Sequence, residues 1–227
     1  MSPVLDATAA ESIPAAVEEA AAAVRAGELV VLPTDTVYGI GCDAFDPLAV
    51  TRLLAAKGRG REMPPPVLIG DARTVDGLAS EVPAFARDLI EQFWPGPLTL
   101  ICFAQPSLHW DLGDTDGTVA LRMPNDPVAL ALLREVGPMA VTSANQSGAA
   151  PATTILEAAT ALGAAVSVYL DGGRRAEQVP STIVDCTREE PMVLRAGSIT
   201  AEQIASVMAI EAVTDAADAE AGPASDR

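Results

Sequence analysis

The chain has few of the residues on which nucleic-acid binding depends. Its 227 residues include one lysine and one histidine, and aromatic residues make up only 4%. With 14 basic and 31 acidic side chains, its formal net charge is −17. Affinity for nucleic acid comes mainly from basic groups that neutralise phosphates. We therefore expect weak or no direct binding of nucleic acid, although a local anion site remains compatible with this balance.

Motifs for disulfides and for metal binding are also missing. The three cysteines are far apart and contain no Cys-x-x-Cys pair: Cys42, Cys102 and Cys186. His109 cannot complete a metal site with them, so we expect three reduced thiols packed as small apolar residues. The acidic run from Asp111 to Asp116 could hold Mg²⁺, but its spacing matches no specific motif. A solvated loop is the preferred interpretation, and no side chain is predicted as a metal ligand.

The chain contains no apolar run of the roughly 20 residues that a membrane span requires, and no signal peptide opens it. A cytoplasmic protein without membrane association is therefore expected. One α/β domain is predicted over residues 12–210, preceded by an N-terminal tail at 1–11. From residue 211 to 227 the chain is acidic and has no apolar periodicity, which predicts a disordered tail.

Buried strands and amphipathic helices alternate through the predicted domain. Strands are expected at Leu29–Leu32, Val67–Ile69, Leu98–Phe103, Thr118–Arg122, Met139–Val141, Val166–Leu170, Pro180–Asp185 and Met192–Arg195. Helices are expected from Ser12 to Gly27, from Asp46 to Lys57, and at Ala72–Ala79, Pro83–Phe93, Pro127–Val136, Thr154–Leu162 and Thr200–Ile210. Several strands follow one another like hairpins, namely the third and fourth, and then the last three. This succession predicts a mixed sheet rather than a purely parallel one.

The segment Lys57–Arg61 concentrates charge in an acidic chain. It holds three cations and two glycines, and Lys57 is the one lysine of the sequence. Glycines between cations allow the backbone to approach a polyphosphate closely. The alternative is an ordinary helix end, since cations and glycine also favour helix C-termini. The segment alone does not decide between these interpretations.

Other polar groups stand at predicted strand ends, where ligands of open α/β sheets bind. They are Thr34, Arg122, the segment Thr142–Asn145, Ser181 and Arg195. The sequence has no phosphate-binding P-loop, no dinucleotide fingerprint and no nucleophile elbow. No general base is evident. This set suits a reaction in which the substrate supplies an anionic nucleophile and the protein supplies positioning and charge stabilisation.

Five motifs in order resemble those of the YrdC-like threonylcarbamoyl-AMP synthases, over roughly residues 13–208. They are Leu32–Gly39, Lys57-Gly58-Arg59, Phe93–Thr99, Thr142–Gly148, and Pro180–Asp185 with Leu194, Arg195 and Gly197. The resemblance implies a twisted mixed β-sheet flanked by helices around a concave, positively charged cavity. It also implies that L-threonine, bicarbonate or CO₂, and ATP with Mg²⁺ give L-threonylcarbamoyladenylate and pyrophosphate. A separate tRNA threonylcarbamoyltransferase complex would then modify adenosine 37 of tRNA.

The resemblance also implies roles for residues at matching positions. It assigns L-threonine binding to Thr34, Arg122, Thr142 and Ser181, ATP binding to Lys57, Arg61, Thr118, Ala144 and Arg195, and catalysis to Lys57, Arg59, Ser143 and Asn145. Met63 and three prolines stand where the family has a polar linker, which leaves the division of roles between Arg59 and Arg61 open. Whether Pro64–Pro66 moves as a lid is also open. Asp126 stands where the family often has histidine, and a helix-capping role is expected for it.

Two alternatives compete with the synthase. One is a non-catalytic RNA-binding or ribosome-maturation module of the same fold, against which the net charge of −17 argues. The other is a related enzyme that adenylates the carbamate of a different amino acid. The hydroxyl groups of Thr34, Thr142 and Ser181 favour a small amino acid but do not identify threonine.

Overall fold

The computed structural model describes residues 2–176 and 179–208. The strands of this part of the chain are β1 (Val4–Asp6), β2 (Val30–Leu32), β3 (Gly39–Asp43), β4 (Val67–Leu68), β5 (Ala79–Ser80), β6 (Leu98–Ala104), β7 (Thr118–Arg122), β8 (Met139–Ser143), β9 (Val168–Asp171), β10 (Thr182–Asp185) and β11 (Met192–Arg195). Its α-helices are α1 (Ile13–Arg25), α2 (Pro47–Lys57), α3 (Val75–Leu78), α4 (Ala84–Phe93), α5 (Pro127–Val136) and α6 (Ile155–Leu162). Residues 201–208 are also helical, and short 3₁₀ helices lie at Ala72–Thr74 and Gly163–Ala165.

The strands form one mixed sheet, in the order β1-β9-β2-β3-β8-β4-β7-β6-β10-β11, with β5 paired to β6. Parallel pairs join β1 to β9, β9 to β2, β4 to β7 and β6 to β10. The remaining neighbours are antiparallel. The expected mixed sheet is therefore confirmed, including the pairing of β6 with β7 and of β10 with β11.

Apolar side chains alternate between the two faces of the sheet, and each face carries helices. On one face, α1 and α5 pack over β2, β8 and β9 through residues such as Val24, Leu132 and Leu170. On the other face, α2, α4 and α6 pack through residues such as Leu53 and Leu89. This arrangement gives three layers, with an apolar core on each side of the sheet.

Three expectations about the chain path were wrong or incomplete. The predicted N-terminal tail contains β1, which pairs in parallel with β9. The strand expected at Val166–Leu170 does not pair with the strand that follows it, because β9 lies between β1 and β2, far from β10. No strand was predicted at Gly39–Asp43, where β3 joins β2 to β8. Ile210 and the tail predicted for residues 211–227 lie outside the described residues.

The helices α2 and α5 both begin at an aspartate N-cap. Asp46 accepts hydrogen bonds from the backbone N–H groups of Leu48 and Ala49 at the start of α2. Asp126 accepts from Val128 and Ala129 at the start of α5, which confirms the capping role expected for it. Carboxylates at this position satisfy N–H groups that have no partner within the helix. None of the helices in the described ranges is long and apolar enough to cross a membrane.

The two glycines of β3 create the space for a valine of the neighbouring strand. Val141 lies opposite Gly41 in the β3–β8 ladder. A Cβ added to Gly39 or Gly41 would come within 2.7 or 2.6 Å of a Val141 methyl carbon. These distances are far below van der Waals contact, so the branched side chain occupies the volume that two strand side chains would need. Gly39 and Gly41 disfavour the prediction of a strand from the sequence, but in β3 they are needed for packing against Val141.

We predict that Gly39→Ala destabilises the fold through this contact. Overpacking of a core typically costs about 1–3 kcal/mol in the free energy of unfolding. In a Val141→Ala background the clash is removed, so the same substitution should cost clearly less. Urea denaturation of the wild type, both single variants and the double variant measures the difference. Equal costs in the two backgrounds would contradict the proposed packing.

Candidate active site

A cavity of about 680 Å³ opens on the face of the sheet that α1 and α5 cover only in part. Its floor consists of side chains that alternate along the strands beyond β8, such as Thr99 and Ile101 of β6, and Thr118 and Arg122 of β7. The prediction that the site lies at strand ends was therefore incomplete. The Thr34 segment and the end of β7 do reach the cavity, but most of its floor is the middle of the sheet.

Hydroxyl and guanidinium groups provide the polar part of the wall. The polar side chains of the lining are Thr34, Thr36, Arg59, Thr99, Thr115, Thr118, Arg122, Thr142, Ser143, Ser181 and Arg195. Apolar residues, including Pro64–Pro66, Leu112 and Ile183, form the rest. Within residues 2–176 and 179–208, no carboxylate contributes to the lining. The cavity thus offers three cations and many neutral hydrogen-bonding groups to an anionic ligand.

The segment between β2 and β3 is held in a tight turn by Thr34. Its hydroxyl donates to the Val37 carbonyl at 2.6 Å and accepts from the backbone N–H groups of Thr36 and Val37. The Thr36 hydroxyl lies 3.1 Å away. This turn directs both threonine side chains into the cavity.

Arg122 is fixed at the end of β7 by three different acceptors. Its guanidinium donates to the Gly96 carbonyl at 3.0 Å, to the Thr36 hydroxyl at 3.3 Å and to the Asp35 carboxylate at 2.6 Å. Burial lowers the pKa of Arg122 from its ordinary value, while the carboxylate of Asp35 opposes that shift. Held at three points, this guanidinium can bind an anion without losing further freedom.

Arg195 lies at the end of β11 and binds the segment that precedes β10. It donates to the backbone carbonyl of Ser181 through two nitrogens, at 3.0 and 2.8 Å, and to the Ser181 hydroxyl at 2.9 Å. That hydroxyl is 2.8 Å from the hydroxyl of Thr99. Burial, and then the positive charge of Arg122, lower the pKa of Arg195. An anion bound between these two cations would relieve their repulsion.

Arg59 is the member of the cationic segment that reaches the cavity. One of its terminal nitrogens donates to the hydroxyl of Thr142 at 3.1 Å. Its Nε is buried and has no hydrogen-bond partner within the described residues. The left-handed backbone of Gly58, with φ of 62°, ends α2 and turns the chain so that Arg59 lies next to β8. Thr118, Thr142 and Ser143 also line the cavity.

Lys57 does not line the cavity, although the family resemblance implies that it contacts the nucleotide. Its ammonium is fully buried and donates to the carbonyls of Ser143 and Asn145 and to the side-chain oxygen of Asn145. Burial, and then the charge of Arg59, lower its pKa to about 8. Lysine is rarely buried without such partners. Lys57 therefore ties the end of α2 to the segment that leaves β8, from behind the cavity wall.

Two other residues of the expected site also lie behind the wall. The side-chain amide of Asn145 donates to the carbonyls of Gln146 and Ala149, at 2.9 and 2.7 Å. Ala144 is fully buried, and its backbone N–H donates to the Tyr38 carbonyl at 2.7 Å. The structure therefore brings Asn145, Ala144 and Lys57 next to the cavity without giving their side chains access to it.

Arg61 does not line the cavity, so the nucleotide contact expected for it stays a prediction. Its guanidinium forms two hydrogen bonds with Asp111, at 3.0 and 2.7 Å, and lies 3.5 Å from Asp114. About half of the side chain is exposed. The acidic run that could have held Mg²⁺ thus pairs with Arg61. In the described part of the chain, no group of three histidine, cysteine, aspartate or glutamate side chains could hold a metal ion.

Sequence reasoning missed several polar members of the site. Thr36 and Thr99 line the cavity, and Asp35 orients Arg122. Thr36 and Asp35 stand inside the motif Leu32–Gly39 and follow Thr34 directly, so the sequence could have predicted that they belong to the site. Thr99 faces Ser181 only because β6 and β10 pair in parallel, and this long-range pairing leaves no local pattern in the sequence.

We predict that the one lysine of the chain titrates far below its ordinary pKa of 10.5. In protein with ¹³C-labelled lysine, the side-chain resonance should shift with a midpoint near pH 8. The Lys57→Met variant, which lacks the resonance, confirms the assignment. Because the unfolded chain holds this proton to higher pH, the group raises the free energy of unfolding as pH increases from about 8 to 10.5. A midpoint near 10.5 would mean that the amine is solvated.

Known proteins resemble this chain along most of its length. A family model described as "Telomere recombination" (Sua5, YciO and YrdC) matches residues 22–197. A relative in Mycobacterium tuberculosis is 56% identical over 195 residues, which cover 86% of this chain and 90% of that protein. A Bacillus subtilis protein named threonylcarbamoyl-AMP synthase is 41% identical over 85% of this chain and 56% of its own length.

Two solved structures share the fold. Sua5 of Pyrococcus abyssi, in a crystal structure with L-threonine, superposes with a TM-score of 0.87 at 34% identity, over 91% of this chain and 61% of that chain. YciO of Escherichia coli superposes with a TM-score of 0.81 at 25% identity, over 90% and 100% of the two chains. The twisted mixed sheet expected from the sequence is thus shared with these proteins. The chain belongs to the Sua5/YciO/YrdC family.

Proposed function

We propose that this protein is an L-threonylcarbamoyl-AMP synthase, which makes L-threonylcarbamoyladenylate and pyrophosphate from L-threonine, bicarbonate or CO₂, and ATP. The observation that carries this proposal is the convergence of Arg59, Arg122 and Arg195 on one cavity whose described lining has no carboxylate. The amino acid carboxylate, the carbamate and the triphosphate are all anions. The volume of about 680 Å³ lies within the roughly 300–1,000 Å³ common for ligand sites. The names of the Bacillus subtilis and Pyrococcus abyssi relatives agree with this reaction.

Arg122 and the surrounding hydroxyl groups bind L-threonine in this proposal. Three N–H groups of the Arg122 guanidinium donate to Gly96, Thr36 and Asp35. Its remaining N–H groups pair with the carboxylate of the substrate. Thr34, Thr142 and Ser181 line the same cavity and offer hydroxyls to the amine and the side chain. L-threonine bound to Pyrococcus abyssi Sua5, with which this chain shares its fold, supports the assignment.

The nucleotide occupies the rest of the cavity. Arg59, with an unpartnered buried Nε, stabilises charge on the triphosphate, and Arg195 and Thr118 contact the nucleotide. In this proposal the cation of the segment that contacts the triphosphate is Arg59 rather than Arg61, and the position of Arg59 in the cavity lining supports this choice. Lys57 acts through Ser143 and Asn145, whose backbone it holds. The structure therefore favours a positioning role for Lys57 over a direct phosphate contact.

The chemistry requires little from the protein beyond placement and charge. The amine of threonine attacks the carbon of CO₂ and loses a proton to solvent, which gives a carbamate. A carbamate oxygen then attacks the α-phosphorus of ATP, and the bond to the β-phosphate oxygen breaks as pyrophosphate leaves. The arginines hold both anions together and stabilise the charge that grows on the leaving group. The absence of a general base from the described lining is consistent with this route.

Mg²⁺ enters this scheme with the nucleotide. Since no carboxylate of the described residues lines the cavity, the described lining offers no ligand set of the kind that Mg²⁺ prefers. The metal ion is therefore part of the substrate, as Mg–ATP, with phosphate oxygens and water as its ligands. We further propose that the adenylate passes, in the cytoplasm, to a separate tRNA threonylcarbamoyltransferase complex.

Pyrophosphate release under substrate omission tests the proposed reaction. We expect release from Mg–ATP that requires both L-threonine and bicarbonate, with threonylcarbamoyladenylate as the product found by mass spectrometry. Serine and valine in place of threonine test the substrate assignment. Turnover that ignores threonine would contradict the synthase. Binding of tRNA at moderate salt without any ATP turnover would favour the RNA-binding alternative.

A further inference from the structure

We propose that the ion pair between Arg175 and Asp126 positions the Thr34 segment, and that it thereby sets the affinity for the amino acid substrate. Neither residue lines the cavity, so both act through other residues. The proposal rests on the proposed function, because it concerns the threonine half of the same site. None of the motifs that carry the family resemblance includes Arg175.

Arg175 joins three separate parts of the chain at one guanidinium. One terminal nitrogen donates to the backbone carbonyl of Thr34 at 3.1 Å and to the Asp126 carboxylate at 2.7 Å. The other donates to the carbonyl of Gly172 in the turn after β9, and Nε donates to the carbonyl of Gly173 at 3.3 Å.

The ion pair between Arg175 and Asp126 is largely buried. The side chains of Arg175 and Asp126 are 15% and 7% exposed. Exposed ion pairs contribute little to the free energy of unfolding. Removal of one partner of a buried pair is costly, because it leaves a buried charge without a partner. The guanidinium also lies 5.6 Å from the centre of the Tyr38 ring. The Tyr38 hydroxyl donates to the Gly173 carbonyl at 2.7 Å and thus links the far end of the Thr34 segment to the same turn.

Asp126 connects the brace, by which we mean Arg175 and its contacts with Thr34 and Asp126, to Arg122, which we propose binds the substrate carboxylate. One oxygen of Asp126 caps α5, and the other accepts from Arg175. The chain between Arg122 and Asp126 is short, and the backbone N–H of Asn125 donates to Asp35 at 3.1 Å. Arg175 therefore links the Thr34 carbonyl to Asp126 at the start of α5, four residues after Arg122.

Kinetics of matched variants test this role. Arg175→Met keeps the length of the side chain and removes the donors. We expect the KM for L-threonine to rise about tenfold or more, while the KM for ATP changes less than about twofold. Arg175→Lys should not rescue the effect, because one ammonium cannot reach Thr34, Gly172 and Asp126 together. Arg25→Met is the control, since Arg25 pairs with Glu135 of α5 at an exposed position.

A double-mutant cycle separates the ion pair from general damage. Asp126→Asn retains a good helix cap but not the charge. If the pair acts as a unit, Arg175→Met should add little to the threonine KM of Asp126→Asn. Additive effects, or a lower melting temperature with an unchanged threonine KM, would overturn the proposal and leave a purely structural pair.

Amide hydrogen exchange tests the brace independently of activity. The N–H groups of Thr36 and Val37, which donate to the Thr34 hydroxyl, should exchange faster in Arg175→Met than in wild type and in Arg25→Met. Unchanged exchange would overturn the positioning role. If the wild type shows no threonine-dependent turnover, the proposed function fails, and the exchange result still decides whether Arg175 holds the segment.

Discussion

The buried ammonium of Lys57 is the contact on which the arrangement of the site depends. It is the one lysine of the chain, and its three acceptors belong to Ser143 and Asn145, where the chain leaves β8. This contact joins the end of α2 to the central part of the sheet. Arg59 follows two residues later and Thr142 precedes Ser143, so both enter the cavity from positions that Lys57 fixes. The Lys57 ammonium, which the sequence groups with two arginines, thus holds the backbone that places Arg59 in the cavity.

The cavity itself follows from how the helices cover the sheet. On one face, α1 and α5 pack over β9, β2 and β8. The strands beyond β8 place threonine and arginine side chains among apolar ones on this face, so that they present no continuous apolar surface. Burying those hydroxyls and cations under a helix would leave them without partners. The cavity therefore lies on the part of this face that α1 and α5 leave uncovered.

Much of the local structure was predictable from the sequence, while the long-range pairing was not. The bounds of β7, α5 and β11 match the prediction, because each combines an apolar pattern with a clear start or end. β3 was missed since Gly39 and Gly41 disfavour a strand except where Val141 needs their space. Most of the expected site residues line the cavity, but which of them do so depends on strand register and helix packing. The burial of Lys57 and the brace by Arg175 arise from contacts across 86 or more residues, for which one sequence gives no signal.

The central claim is that the cations collected in the cavity, and not the basic segment as such, stabilise the reacting phosphates. The most direct measurement compares kcat/KM for ATP in Arg59→Met and Arg61→Met, two substitutions of the same chemistry in the same segment. Arg59→Met should lose about 10²–10³-fold, as expected when one donor to a developing charge is removed. Arg61→Met should stay within about fivefold, since it removes only an exposed ion pair. Equal losses, or a larger loss at Arg61, would contradict this account of the site.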